Sequence, residues 1–218
     1  MRPVLLPVFA IGFALLAMAT SWWWLWPAAV LGATSIVYAL GAPAAFLKRR
    51  DGTLPWYAWL AWGPLFVYQW AVYEGGRRFT NEPVATEVAP GVFVARRPHA
   101  HELPPNTAIV VDLCAEFPAA PGVTSGRNYL AIPTLDAAAP TPAQIAAAVD
   151  AILAANGAAV IHCAHGHGRS ATVAAAVLIR RGDATFDDVE AKMQALRPRI
   201  GLNAKQRAAL FAATSPRA

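Results

Sequence analysis

From Pro3 to Leu47 the chain carries no Asp, Glu, Lys, Arg or His, and after a short charged patch a second uncharged run extends from Gly52 to Tyr73. A helix needs about 20 apolar residues to cross the hydrocarbon core of a bilayer. The first run therefore accommodates two transmembrane helices, placed at residues 4–20 and 27–46, with the aromatic stretch 21–26 as the turn between them. Trp favours the membrane interface, which suits Trp22, Trp23, Trp24 and Trp26 to a turn at headgroup level. Ala17-Met18-Ala19, after a basic start and an apolar core, also fits a signal-peptide cleavage site. The apolar sequence that follows leaves a span either way.

The third run, residues 54–73, has Gly63-Pro64 at its centre and Trp and Tyr throughout rather than at its two ends. It reads as an aromatic segment lying in or dipping into the interface, with a third full crossing as the alternative. Lys48-Arg49-Arg50 and Arg77-Arg78 flank it. Both clusters favour the cytoplasmic side, so the C-terminal region is expected in the cytoplasm. Residues 1–80 hold six basic and two acidic side chains, which supplies +4 of the net +5. The other 138 residues are nearly balanced, so the positive charge marks juxtamembrane clusters and not a nucleic-acid surface.

From residue 81 to 218 the pattern is that of an α/β domain. Apolar, β-branched runs predict strands at 91–95, 108–113, 129–132 and 158–162. Thr141-Pro142 opens a helix that ends near Asn156-Gly157. Thr185 with Asp188 three residues on reads as a capping box for a helix ending before Pro198.

Strand 158–162 runs into Cys163-Ala164-His165-Gly166-His167-Gly168-Arg169-Ser170, and residues 170–181 read as a helix ending at Gly182. Strand, glycine-containing loop and helix together cradle phosphate, because loop N–H groups converge on an anion at the helix N-terminus. The same geometry lowers the pKa of a thiol at the start of the loop, and a thiolate can attack phosphorus to form a phosphocysteine. Arg169, six residues after the cysteine, can grip two phosphate oxygens with its planar fork. Gly166 and Gly168 let the backbone close around the anion, and Ser170 can donate its hydroxyl to the sulfur. An alternative makes His162, Cys163, His165 and His167 metal ligands, but the Arg169 cation opposes a metal there.

This C-x5-R-S loop, preceded by His162, resembles the signature of the protein tyrosine phosphatase superfamily. Within it the short domain resembles the dual-specificity phosphatases, and the loop resembles those of bacterial membrane-linked members. The likeness covers about residues 90–211, including Gly91-Val92-Phe93-Val94, Asp112-Leu113-Cys114-Ala115-Glu116, Tyr129-Leu130-Ala131-Ile132-Pro133, Arg197-Pro198 and Asn203. It implies a twisted central sheet flanked by helices and metal-free, cofactor-free hydrolysis of phosphate monoesters, with the protein in a bacterial inner membrane. It also implies an Asp general acid upstream of the nucleophile, and Asp136 stands at the family interval after Tyr129–Pro133. Asp112, ending an apolar strand, reads as structural. His162 is assigned to support of the thiolate; His165 and His167 either point inward towards a second phosphate or outward as polar loop residues.

Cys114 lies in a segment that resembles the resolving-cysteine segment of the phosphatase-and-tensin type lipid phosphatases. It is either a reversible disulfide partner of Cys163 or a buried packing residue. Phosphoproteins are the substrate the dual-specificity likeness implies. A membrane phospholipid headgroup, of the phosphatidylglycerophosphate kind, is the alternative, and a non-catalytic phosphate-binding module is the third reading.

Overall fold

The structure, a computed structural model, describes residues 5–215. The expected first span begins at Val4, which lies outside them. Three helices lead: α1 (Leu6–Ala19), α2 (Leu25–Leu40) and α3 (Trp56–Arg78). At 1.5 Å per residue, α1 is about 21 Å long against the ~30 Å of a hydrocarbon core. One segment among the described residues, Trp22–Leu40, is long and apolar enough to cross a bilayer. The 54–73 segment is a continuous helix of 23 residues that runs on to Arg78, Pro64 included. Pro64 has no N–H for the carbonyl of Leu60, and the Trp26 indole takes that acceptor instead, at 3.2 Å.

The sheet has the order β1-β2-β5-β3-β4, with β1 (Ala85–Ala89), β2 (Val92–Arg96), β3 (Thr107–Cys114), β4 (Asn128–Thr134) and β5 (Ala158–Cys163). β1 pairs antiparallel with β2, and the remaining pairs are parallel. Alternation along the strands sorts the core. Val92, Val94, Ile109, Val111, Leu113 and Ile161 join one large cluster with helices α4 (Pro142–Ala154), α5 (Arg169–Arg181), α6 (Val189–Leu196) and α7 (Ala204–Thr214). Ala95, Val110 and Val160 face the other way, onto Ala120 and Val123. Small residues along α5, among them Ala171, Ala174, Ala175 and Ala176, let that buried helix lie close to the sheet.

The predicted strands and the caps at Thr141 and Gly182 are present. Strand β1 and helix α7 go beyond the sequence reading. The helix predicted from Thr185 begins only at Val189: the Thr185 N–H does bond the Asp188 carboxylate, at 2.7 Å, but residues 186–188 form a turn.

The N-terminal helices pack onto the sheet domain. Their core of Val30, Leu31, Phe46, Trp62, Leu65 and Phe66 continues into Ala115 and Leu135. One member of each basic cluster is drawn into the fold, while Arg49, Arg50 and Arg78 are exposed. The Lys48 side chain, wholly shielded from solvent, donates to Asp112 Oδ2 at 2.6 Å and to the Cys114 carbonyl at 2.8 Å. Arg77 is ion-paired with Glu102. Gly52 makes the turn beside Lys48 possible, because its φ is +82° and a Cβ there would strike the Tyr129 hydroxyl at 2.5 Å.

Candidate active site

β5 delivers Cys163 to the end of the central strand, and α5 begins six residues later at Arg169. The turn between them needs glycine at 166: φ is +74°, and a Cβ would lie 2.6 Å from the Ala95 carbonyl carbon in β2. The carbonyls of His165 and Gly166 are tied to Arg197, a buried side chain that also bonds the Pro83 carbonyl and Thr86 Oγ1. On the other side the Gly166 N–H is aimed at Cys163 Sγ, at 3.2 Å, and Ser170 Oγ lies 3.5 Å from the sulfur.

Burial opposes a charged sulfur at Cys163. The Arg169 cation, the hydroxyl and N–H of Ser170 and the Gly166 N–H outweigh it, so the thiol sits below its ordinary range. Cys114, on β3, goes the opposite way, because burial and the neighbouring Asp112 charge push its thiol well up. Both cysteines are free thiols.

Arg169 is buried and held from behind. Its Nη1 donates to Glu116 Oε2 at 2.9 Å, to the Thr134 carbonyl at 2.6 Å and to the Leu113 carbonyl at 3.4 Å; Nη2 reaches Asp136 Oδ1 at 3.3 Å. Its Nε has no partner among the described residues and remains available to an anion. The other oxygen of Glu116 accepts the Asp136 N–H at 2.7 Å and the Tyr38 hydroxyl at 3.0 Å. One carboxylate thus fixes the arginine, the start of the Asp136 loop and a side chain of α2. Asn203 and Gln206 of the α7 cap hold the same loop through the carbonyls of Ala137 and Ala138.

The sequence-selected residues converge. Asp136, Cys163, His165, His167, Gly168 and Arg169 line one cleft of about 200 Å³ with Asn203 and Gln206. His162 makes no hydrogen bond to the sulfur; its ring lies beside the Cys163 backbone, with Nε2 3.8 Å from Asp112 Oδ2. Burial holds its pKa down at about 4, so the ring is a neutral packing group behind the loop. His167 is turned to Glu82, at 2.8 Å, and His165 packs against the Tyr73 ring.

Asp112, Cys114 and His162 bring three possible metal-ligand atoms within 4.8 Å of one another. The Lys48 ammonium already stands on Asp112 and keeps its carboxyl well below the usual range against the pull of burial. That cation is a poor neighbour for a metal ion.

Glu116, Arg197, Tyr38 and Lys48 carry much of this architecture and escaped the sequence reading of roles. Glu116 and Arg197 stood inside segments already singled out, but no local pattern names a partner dozens of positions away.

Residues 105–215 match the family described as dual specificity phosphatase, catalytic domain, just over half of the chain. No curated protein matches. Among solved structures, the active form of Tk-PTP is 25% identical with a TM-score of 0.55, covering 61% of this chain and 97% of that one. PTPMT1, solved in complex with PI(5)P, is 20% identical with a TM-score of 0.51 over 58% of this chain and 92% of its own. Human DUSP28 is 24% identical at a TM-score of 0.50, over 59% and 94%. These two similarities are of fold. With the loop, its braced arginine and the family match in agreement, the chain belongs to the dual specificity phosphatases of the protein tyrosine phosphatase superfamily and is a phosphoric monoester hydrolase.

Proposed function

We propose that this enzyme works at a membrane and hydrolyses the phosphate monoester of a lipid headgroup through a phosphocysteine on Cys163. Residues 5–79 hold nearly all the exposed large apolar side chains among the described residues; beyond them only Leu153, Leu196 and Phe211 are of this kind. A surface so apolar needs a cover, and a bilayer around α1, α2 and part of α3 supplies it, with the catalytic domain on the cytoplasmic side.

In the first step the Cys163 thiolate attacks phosphorus, the bond from phosphorus to the leaving oxygen breaks, and Asp136 gives that oxygen a proton. Loop N–H groups and Arg169 bind the equatorial oxygens, whose charge grows in the transition state. In the second step Asp136 takes a proton from water as the water attacks phosphorus. The S–P bond breaks, phosphate leaves, and Ser170 helps the sulfur carry the returned charge.

One observation carries the choice of a lipid. A mouth beside Ala164, His165, Arg169 and Asp136, which shares the last three residues with the cleft that holds Cys163, is walled by Tyr38 of α2 and by Tyr68, Gln69, Val72 and Tyr73 of α3. A lipid lying against these helices would hold its headgroup beside the Cys163 cleft. The family match favours a second reading, a phosphoprotein substrate. Phosphate release by the detergent-solubilised protein from a phosphotyrosine peptide, a phosphothreonine peptide and a panel of phosphomonoester lipids distinguishes them. The lipids are expected to show the highest kcat/KM; a peptide preferred over every lipid overturns the lipid reading.

A further inference from the structure

The mouth beside the catalytic cleft and an apolar groove share one lining residue, Tyr68. The groove measures about 220 Å³ and is lined by Phe9 and Phe13 of α1, Pro27 and Leu31 of α2, and Pro64 and Tyr68 of α3. Each helix supplies a pair four residues apart, the spacing that puts two side chains on one helical face. Along α3 the lining runs from Pro64 through Tyr68 to Val72, about 12 Å of helix at 1.5 Å per residue, and at Val72 it belongs to the catalytic mouth. The volume exceeds that of an apolar cavity of about 150 Å³ that takes up a benzene ring.

Beside Tyr68, Gln69 lines the mouth, and its Oε1 is buried without a hydrogen-bond partner among the described residues. A buried amide oxygen left unpaired is costly, and only a donor satisfies it. Phosphate and ester oxygens of a phospholipid are acceptors; a free hydroxyl is a donor.

We infer that the groove between α1, α2 and α3 is an acyl-chain subsite of the active site, and that Gln69 accepts a hydrogen bond from a free hydroxyl between the substrate's chains and its phosphate. The inference rests on the lipid reading and narrows it to phosphomonoester lipids with a hydroxyl-bearing headgroup. The phosphate lies on the Cys163 loop, the headgroup hydroxyl faces Gln69, and a chain follows Tyr68 towards Phe13 and Leu31.

Three variants test it in mixed micelles. Leu31→Trp fills the groove, and Phe9→Ser makes its exposed rim polar with little risk to folding. Both are expected to raise KM for a long-chain lipid about tenfold while kcat/KM for an aryl phosphate, too small to reach the groove, is unchanged. Gln69→Met removes the acceptor. The parent is expected to prefer a glycerol-headgroup phosphate over phosphatidic acid by about tenfold, the worth of one hydrogen bond, and Gln69→Met to erase that preference. Equal kcat/KM for long and short chains in the parent, or full lipid activity in both groove variants, overturns the subsite. Equal use of the two headgroups by the parent overturns the role of Gln69. Failure of the lipid reading looks different: peptides are hydrolysed and no lipid is.

Discussion

Replacing Lys48 by Met separates the N-terminal region's grip on the catalytic domain from the chemistry of the site. The Lys48 ammonium stands 2.6 Å from Asp112 Oδ2, with the two side chains 0% and 1% exposed. At that separation the attraction is about 6 kcal/mol for an effective dielectric of ~20, largely offset by the several kcal/mol of desolvation that each buried ion carries. The intact pair therefore adds little, whereas removing one partner strands the other, at about 3–5 kcal/mol. Asp112 has an escape: protonation. From an ordinary carboxyl pKa of ~3.9, neutralising it at pH 7 takes about 4 kcal/mol, which limits the charge penalty. A loss of about 3–4 kcal/mol at pH 7 is expected, by denaturant unfolding of the detergent-solubilised protein.

The sign with pH follows. In the parent the Asp112 carboxyl is held below its usual range, so its stabilisation is complete above ~3.9 and is lost as pH falls through the depressed folded value. In Lys48→Met the carboxyl is raised instead, so its penalty is largest near neutrality and shrinks by about 1.4 kcal/mol per unit as pH falls towards ~4. The gap between the two proteins closes on the acid side, and Lys48→Met/Asp112→Asn shows a smaller loss that hardly varies with pH. A single variant within about 1 kcal/mol of the parent, or one whose deficit is the same at pH 5 and pH 8, refutes this reasoning.

Other changes act at the site. Glu116→Gln keeps the shape of the Arg169 cradle but removes its charge, and kcat/KM on an aryl phosphate is expected to fall about ten- to a hundredfold, the worth of a charge-assisted hydrogen bond. Gly166→Ala forces a Cβ to within 2.6 Å of β2 at a φ of +74°; weakened orthovanadate inhibition and a lowered Tm are the readouts. Iodoacetamide alkylation of Cys163 is expected to titrate below the ~8.5 of a free thiol, with its midpoint moving up in Arg169→Met, because that cation favours the thiolate against burial.

The residues legible in the sequence are those that act within one short stretch. Cys163 to Ser170 is a single turn between strand and helix, so spacing alone places sulfur, amides and guanidinium on one anion. Thr141 caps α4 by contacting Gln144, three residues on, and is readable for the same reason. Residues paired across the fold were not readable: Glu116 meets Arg169 from 53 positions away, Lys48 meets Asp112 from 64, and Tyr38 meets Glu116 from 78. Lys48 misled because Lys-Arg-Arg beside an apolar run reads as a headgroup cluster, whereas a turn at Gly52 buries its first member. The edge strand Ala85–Ala89 mixes Thr and Glu among small residues, and Ala-rich α7 offers little periodic contrast. Adjacency to Cys163 along a strand points the His162 side chain to the opposite face, so its neighbours there, Asp112 among them, were not readable either.

The central claim, a phosphoryl group passing through Cys163, is open to direct measurement. Asp136→Asn removes both the acid of the first step and the base of the second, and an aryl phosphate with a good leaving group makes the first proton unnecessary. Acid quenching of that variant during turnover, followed by mass analysis of its peptides, is expected to find one phosphoryl group on the Cys163 peptide and none on that of Cys114. Cys163→Ser is expected to hold no phosphoryl group and release no phosphate. Turnover that persists in Cys163→Ser, or a phosphoryl group found on another residue, contradicts the account.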